Sequence, residues 1–153
     1  MKVLMVCLGN ICRSPMADGL LRQKVKIAGL DVFVDSAGTS NYHVGQQPDE
    51  RMMETAKRFS CPIDALRARQ FDVSDFDSFD LIYAMDSSNF NNMLKLARSK
   101  EDEAKVKLIL NEIYPGENKA VPDPYFGGEQ GFVDVYNMLD KATDVIIDKL
   151  KKA

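Results

Sequence analysis

The sequence predicts an α/β fold: a single-domain three-layer sandwich, with a four-stranded parallel sheet between helices on both faces. Three observations lead there. Short apolar runs alternate with longer stretches of helical period, the pattern of strand–helix–strand crossovers. The chain of 153 residues suits one domain, and a chain of this size buries about two-thirds of its unfolded surface. No repeat, linker or low-complexity tract divides it, so residues 1–153 read as one unit.

Each element follows from local chemistry. Lys2-Val3-Leu4-Met5-Val6 is a short, fully buried strand. Ser14 as N-cap and Pro15 as first helical residue open a helix to about Ala28. Met16, Leu20, Leu21, Val25 and Ile27 form its apolar face, and Gly29 closes it. Val32-Phe33-Val34 is the second strand. A polar loop runs from Gly38 through Gly45, and Pro48 opens a helix to about Phe59. Leu81 to Ala84 is the third strand, followed by a helix from about Ser87 to Ala97, and Val106 to Leu110 is the fourth strand. Pro115, Gly116, Pro122, Pro124, Gly127 and Gly128 then mark a long irregular loop of the kind that usually carries function. A final amphipathic helix spans about Phe132 to Leu150. In an open parallel sheet, ligands sit beyond the carboxyl ends of the strands. Cys7, Ser36 and Met85-Asp86 stand at three such ends and converge on one rim.

Composition narrows the function. A formal charge of −3 gives no general attraction to nucleic acid or anionic lipid. Val3 to Leu8 is too short for the apolar core of a secretory signal, and no stretch is long enough to span a bilayer. Three cysteines suit a secreted disulfide framework poorly. The expectation is a cytoplasmic protein with reduced thiols, no nucleic-acid partner and no membrane insertion.

The most informative segment is Cys7-Leu8-Gly9-Asn10-Ile11-Cys12-Arg13-Ser14, between the first strand and the first helix. A loop in that position has backbone N–H groups free to point inward, near the positive end of a helix dipole. Gly9 removes an obstructing Cβ, and Asn10 tolerates left-handed backbone angles. The expected ligand is a phosphate-like dianion. With a negative net charge, its capture must be local. The thiolate is the nucleophilic form of cysteine, and a helix N-terminus with a nearby guanidinium favours it; Cys7 stands where both act. Arg13 offers a planar fork for two phosphoryl oxygens. Ser14 is placed to hydrogen-bond the Cys7 sulfur. A nucleotide-binding loop is excluded by the missing Gly-Lys-Ser/Thr ending. A non-catalytic phosphate-binding module remains as the contrasting class. Asp123, between Pro122 and Pro124, reads from its own surroundings as a turn aspartate or a stiffened acid.

The loop, with Ser-Pro directly after its arginine, resembles that of the low-molecular-weight protein tyrosine phosphatases. Asp35-Ser36-Ala37-Gly38 resembles the family segment whose serine braces the loop asparagine, here Asn10. Ala68-Arg69-Gln70 and Met85-Asp86-Ser87-Ser88-Asn89 match two further segments, and Asp123-Pro124-Tyr125-Phe126 resembles the general-acid loop. The matches run in order along essentially the whole chain, which is identified as a bacterial-type member. The resemblance implies a cofactor-free and metal-independent hydrolase of phosphotyrosine in proteins, binding phosphate or other oxyanions in its site. It implies Cys7 as nucleophile, Arg13 as phosphate clamp and Asp123 as general acid, then base. Leu8, Gly9, Asn10, Ile11, Cys12 and Ser14 would bind the phosphate, with Tyr42, Tyr125 and Phe126 as pocket walls and Ser36 and Asp86 in support. Cys12 would be the redox partner of Cys7.

Some positions depart from the family pattern. Leu66 stands where the family often has a histidine that contacts the aspartate of the Met-Asp segment, so Asp86 is expected to cap a helix or pair with Arg67 or Arg69. His43, the only histidine, reads as a solvated loop residue, and Cys61 as a structural thiol. Two related activities compete. Arsenate reductases of related fold need a downstream cysteine pair that Cys61 alone does not supply. Protein arginine phosphatases typically carry threonine where this chain has Ile11.

Overall fold

The structure, a computed structural model, describes residues 1–126 and 128–153. Gly127 and the side chain of Phe126, one of the expected pocket walls, lie outside the described residues. Strands β1 (Lys2–Cys7), β2 (Phe33–Gly38), β3 (Leu81–Ala84) and β4 (Val106–Leu108) form one parallel sheet in the order β2-β1-β3-β4. β1 is therefore interior, with Met5 beside Ser36 on one side and Tyr83 on the other.

Alternation along β1 divides the core. Val3, Met5 and Cys7 point into a cluster with Met16, Leu20 and Leu21 of helix α1 (Arg13–Ala28) and Phe132, Val135 and Leu139 of helix α6 (Glu129–Lys152). Leu4 and Val6 point the other way, among Phe71, Phe76, Phe79 and Met93. Both faces are covered, so the predicted sandwich is the observed one. Among the described residues no helix is long and apolar enough to cross a membrane.

Helix boundaries differ from expectation where side chains have other work. α1 begins at Arg13, and its N-cap is Cys12, with no side-chain cap bond. Ser14 is buried inside the first turn, its hydroxyl directed to the neighbouring loop. Pro15 falls third in the helix, where an N–H would still lack an intrahelical acceptor. Gly29 ends α1 in the left-handed region, at φ 67°. Helix α2 (Glu50–Arg58) starts after Asp49, whose carboxylate accepts the Arg51 N–H at 2.8 Å. β2 extends past its apolar run to Gly38, since its last residues pack beneath the phosphate loop. Helices α3 (Asp75–Ser78) and α5 (Lys100–Lys105) were not expected; each is too short to show a period. α4 (Ser87–Leu94) stops short of Ala97, and β4 passes at Leu108 into a 3-10 turn at Ile109–Glu112.

Candidate active site

The loop from Cys7 to Arg13 is shaped by what surrounds it. Its carbonyls are drawn outward: Thr39 N–H donates to Cys7 O at 2.9 Å, Ser40 N–H to Leu8 O at 2.9 Å, and Asp49 N–H to Ile11 O at 2.7 Å. Carbonyls held this way leave the N–H groups between them to face the pocket. Asn10 N–H, which bonds the Cys7 sulfur, and Leu8 N–H have protein partners. With its amide turned to satisfy both ends, buried Asn89 accepts from Leu8 N–H at 3.3 Å and donates to Asp86 Oδ1 at 3.1 Å. Gly38 lies against the loop so closely that a Cβ would stand 2.7 Å from Leu8 O and 3.1 Å from Asn10 N. Only glycine fits there.

Asn10 is the keystone. It sits in the left-handed region at φ 57° and is buried. Its Nδ2 donates to Ser14 Oγ (2.8 Å) and Ser36 Oγ (3.0 Å), while its Oδ1 accepts the Arg69 N–H (3.0 Å). Its own N–H donates to Cys7 Sγ at 3.3 Å, and Ser14 Oγ lies 3.0 Å from the same sulfur. Two polar groups thus face the Cys7 sulfur from inside the protein.

Arg13 is buried, and its Nη1 donates to Asp86 Oδ2 at 2.7 Å and to Val121 O at 3.0 Å. Burial alone pulls the guanidinium's pKa down, but Cys7, Asp86 and Asp123 more than offset it, so the pKa is raised and the charge is secure. The expected pairing of Asp86 with Arg67 or Arg69 is corrected: β1 lies between them. Arg69 binds Asp35 and Asp75 on the β2 side, and Arg67 donates to the carbonyls of Asp64 and Leu66, whereas Asp86 follows β3. Asp86 does cap a helix as expected, accepting the Asn89 N–H at 2.8 Å.

The long loop before α6 brings Asp123 to the same place. Val121 N–H donates to Met85 O at 2.8 Å, anchoring that loop at the end of β3. Asp123 follows, with Oδ1 accepting the Tyr125 N–H at 3.0 Å and Oδ2 standing 3.8 Å from Arg13 Nη2. A cavity of about 150 Å³ is lined by Cys7, Leu8, Gly9, Ile11, Cys12 and Arg13 of the loop, and by Tyr42, His43, Asp123 and Tyr125.

Cys7, Arg13 and Asp123 stand around one small pocket, and the chain matches a known family, described as low molecular weight phosphotyrosine protein phosphatase, over residues 2–153. The chain belongs to that family. A low molecular weight phosphotyrosine protein phosphatase from Schizosaccharomyces pombe is 46% identical over 141 residues, spanning 90% of this chain and 89% of its own. The protein tyrosine phosphatase of Entamoeba histolytica, with Hepes in its active site, superposes with a TM-score of 0.92 at 38% identity, covering 99% and 97% of the two chains. A Drosophila arginine phosphatase has a TM-score of 0.90 at 33% identity and 97% coverage of both chains. The fold thus hosts more than one phosphoryl substrate.

Within this phosphatase family site, the residues marked from sequence divide into two layers. Cys7, Leu8, Gly9, Ile11, Cys12, Arg13, Tyr42, Asp123 and Tyr125 reach the pocket. The side chains of Asn10 and Ser14 lie behind the sulfur with Ser36. His43 was missed. Its ring lies over Gly9, where a Cβ would come within 3.1 Å of Cδ2, and its Nδ1 is 3.0 Å from Gln46 Oε1. Its one sequence signal was adjacency to Tyr42. Cys12 is a buried free thiol; burial first, then Asp49, Cys7 and Asp123, push its pKa well up. Cys61 is buried away from the pocket, packed beside Gly19 of α1.

Proposed function

We propose that residues 1–153 form one catalytic domain of a protein tyrosine phosphatase that works in the cytoplasm on phosphotyrosine-containing proteins. The carrying observation is the placement of Asp123 beside Arg13, at 3.8 Å, on the pocket that Cys7 lines. Arg13 and the inward loop amides hold the three non-bridging phosphoryl oxygens. The Cys7 thiolate attacks phosphorus, the P–O(aryl) bond breaks, and the Asp123 carboxyl gives its proton to the departing phenolate oxygen. The product is a cysteinyl-phosphate. Asp123, now a carboxylate, takes a proton from water as the water oxygen attacks phosphorus. The P–S bond breaks, Cys7 leaves as thiolate, and inorganic phosphate departs. No metal or cofactor enters either step. Tyr42 and Tyr125 wall a slot suited to a flat phenyl ring, and Ile11 on the lining adds bulk against a phosphoguanidinium. If Cys7 is oxidised to a sulfenic acid, Cys12 is the neighbouring thiol able to condense with it.

The test is hydrolysis of p-nitrophenyl phosphate in EDTA, with Cys7→Ser and Asp123→Asn beside wild type, followed by phosphotyrosine and phosphoarginine peptides. Metal-free activity lost in Cys7→Ser, with the phosphotyrosine peptide preferred, supports the proposal. Full activity in Cys7→Ser, or preference for phosphoarginine, overturns it.

A further inference from the structure

Arg51, in the first turn of α2, lines neither the pocket nor the sulfur, yet it connects the two sides of the site. Its Nε and Nη2 donate to Oδ1 and Oδ2 of Asp49, both at 3.1 Å. Asp49 is the residue whose N–H clamps Ile11 O at 2.7 Å. The Arg51 guanidinium carbon stands 5.4 Å from the ring centre of Tyr125 and 4.7 Å from that of Phe132. Tyr125 N–H in turn holds Asp123 Oδ1 at 3.0 Å. A continuous path therefore runs from the phosphate loop through Asp49, Arg51 and Tyr125 to Asp123.

We infer that Arg51 is a positioning residue that sets the Asp123 carboxyl against the phosphate loop by bracing Tyr125. The inference rests on the phosphatase reading above. Arginine suits the task because its planar fork binds a carboxylate through two nitrogens while its faces remain free to lie on aromatic rings. Lysine, a single point charge, serves one of those functions at a time. The far end of the acid loop is already tied at Val121, to Met85 O and Arg13. Without Arg51, Tyr125 keeps its backbone bond to Asp123 but loses the guanidinium that packs on its ring from α2. A purely structural Arg51, covering Phe132 and pairing with Asp49, leaves the proton transfer untouched, and exposed pairs of that kind add little.

The chemistry separates these roles. A displaced acid harms esters with poor leaving groups most, because their phenolates depend most on the proton. The experiment measures kcat/KM for phenyl phosphate and p-nitrophenyl phosphate in wild type, Arg51→Met and Arg51→Lys, together with inhibition by inorganic phosphate. Arg51 is half exposed, so both variants are expected to fold. In Arg51→Met, phenyl phosphate turnover should fall about tenfold and p-nitrophenyl phosphate about twofold, with phosphate inhibition unchanged. Arg51→Lys should lie between. In a Tyr125→Leu background, Arg51→Met should add nothing, since the path is already cut. Equal losses on the two esters, weakened phosphate inhibition, or an additive effect with Tyr125→Leu would each overturn the inference. Wild type inactive on both esters would instead refute the phosphatase reading itself.

Discussion

Two loops meet at the pocket and are built in opposite ways. The phosphate loop is over-determined: three of its carbonyls are clamped by outside N–H groups, and Asn10 alone makes three side-chain bonds. Asn10 and Arg13 in it are nearly solvent-free. The acid loop is tied at Val121 and braced at Tyr125, while the side chain of Asp123 is 41% exposed and Tyr125 is 42% exposed. The difference follows the chemistry. Every phosphate ester presents the same charged group, so its cradle gains from being fixed before substrate arrives. On the proposed mechanism the leaving group varies and must enter and depart, which suits an acid on the open side.

The largest effect should come from breaking the rigid side at its charge. Arg13→Lys removes the fork that serves Asp86, Val121 O and substrate together, and so also loosens the acid loop. We expect kcat/KM on p-nitrophenyl phosphate to fall by about a thousandfold with the fold retained by circular dichroism. A loss below tenfold would mean that loop amides alone suffice.

Next comes Asn10. Asn10→Ala strands Ser14, Ser36 and the Arg69 N–H, and puts at φ 57° a residue that tolerates the left-handed region less well than asparagine. Activity should fall by about a hundredfold, and alkylation of Cys7 by iodoacetamide at neutral pH should slow. Asn10→Gly relieves the backbone strain but not the lost bonds. If glycine restores full activity, the hydrogen bonds are idle and strain alone explains the position.

On the open side, the effect should be smaller and confined to binding. Tyr42 lines the pocket but is 75% exposed. Tyr42→Ala should raise KM for phenyl phosphate by about three- to tenfold, with inhibition by inorganic phosphate unchanged. A weakened phosphate inhibition would show that the two loops are less independent than their bonding suggests.

The same contrast explains what was legible in the sequence. The phosphate loop is contiguous, and its strand–loop–helix setting follows from residues within reach of one another, so the sequence alone points to Cys7, Gly9, Asn10 and Arg13 as parts of one loop. That Asp123 reaches the same pocket needed the family resemblance, because an aspartate between prolines carries no local mark of that placement. The Arg13–Asp86 pair spans 73 positions and depends on strand order, which periodicity does not reveal. His43 reaches the pocket because the segment after β2 folds back over Gly9, a tertiary event. Ser14 pairs with the sulfur as the sequence suggests, but it does not cap the helix: α1 starts one residue earlier, at Arg13, so Ser14 lies inside the first turn and Cys12 holds the cap position.

The smallest effect on activity, and an opposite one on stability, is expected beneath the rigid loop at Asp18. This carboxyl is fully buried; Oδ1 accepts Arg22 Nε (3.1 Å) and Nη2 (2.9 Å), while Oδ2 has no partner within hydrogen-bond distance among the described residues. Burial pushes its pKa up to about 6 against 3.8 when unperturbed; Asp35 adds to the rise, while Arg22 and the Ser36 hydroxyl oppose it. Between those values the folded state holds more protons than the unfolded one. Stability therefore falls as pH rises from about 4 to 6, and the deficit is fully present above that window. Asp18→Asn removes the titration. At pH 7.5 the variant should be more stable by about 2 kcal/mol, after allowing for the lost Arg22 pair, and the gain should shrink towards pH 4. Urea midpoints at four pH values across that range measure it, with kcat/KM expected to stay within about twofold because Asn10, Ser14 and Arg13 keep their partners. A stability difference that does not change with pH would show that Asp18 is ionised throughout. In that case the floor under the phosphate loop is as settled electrostatically as the loop is geometrically.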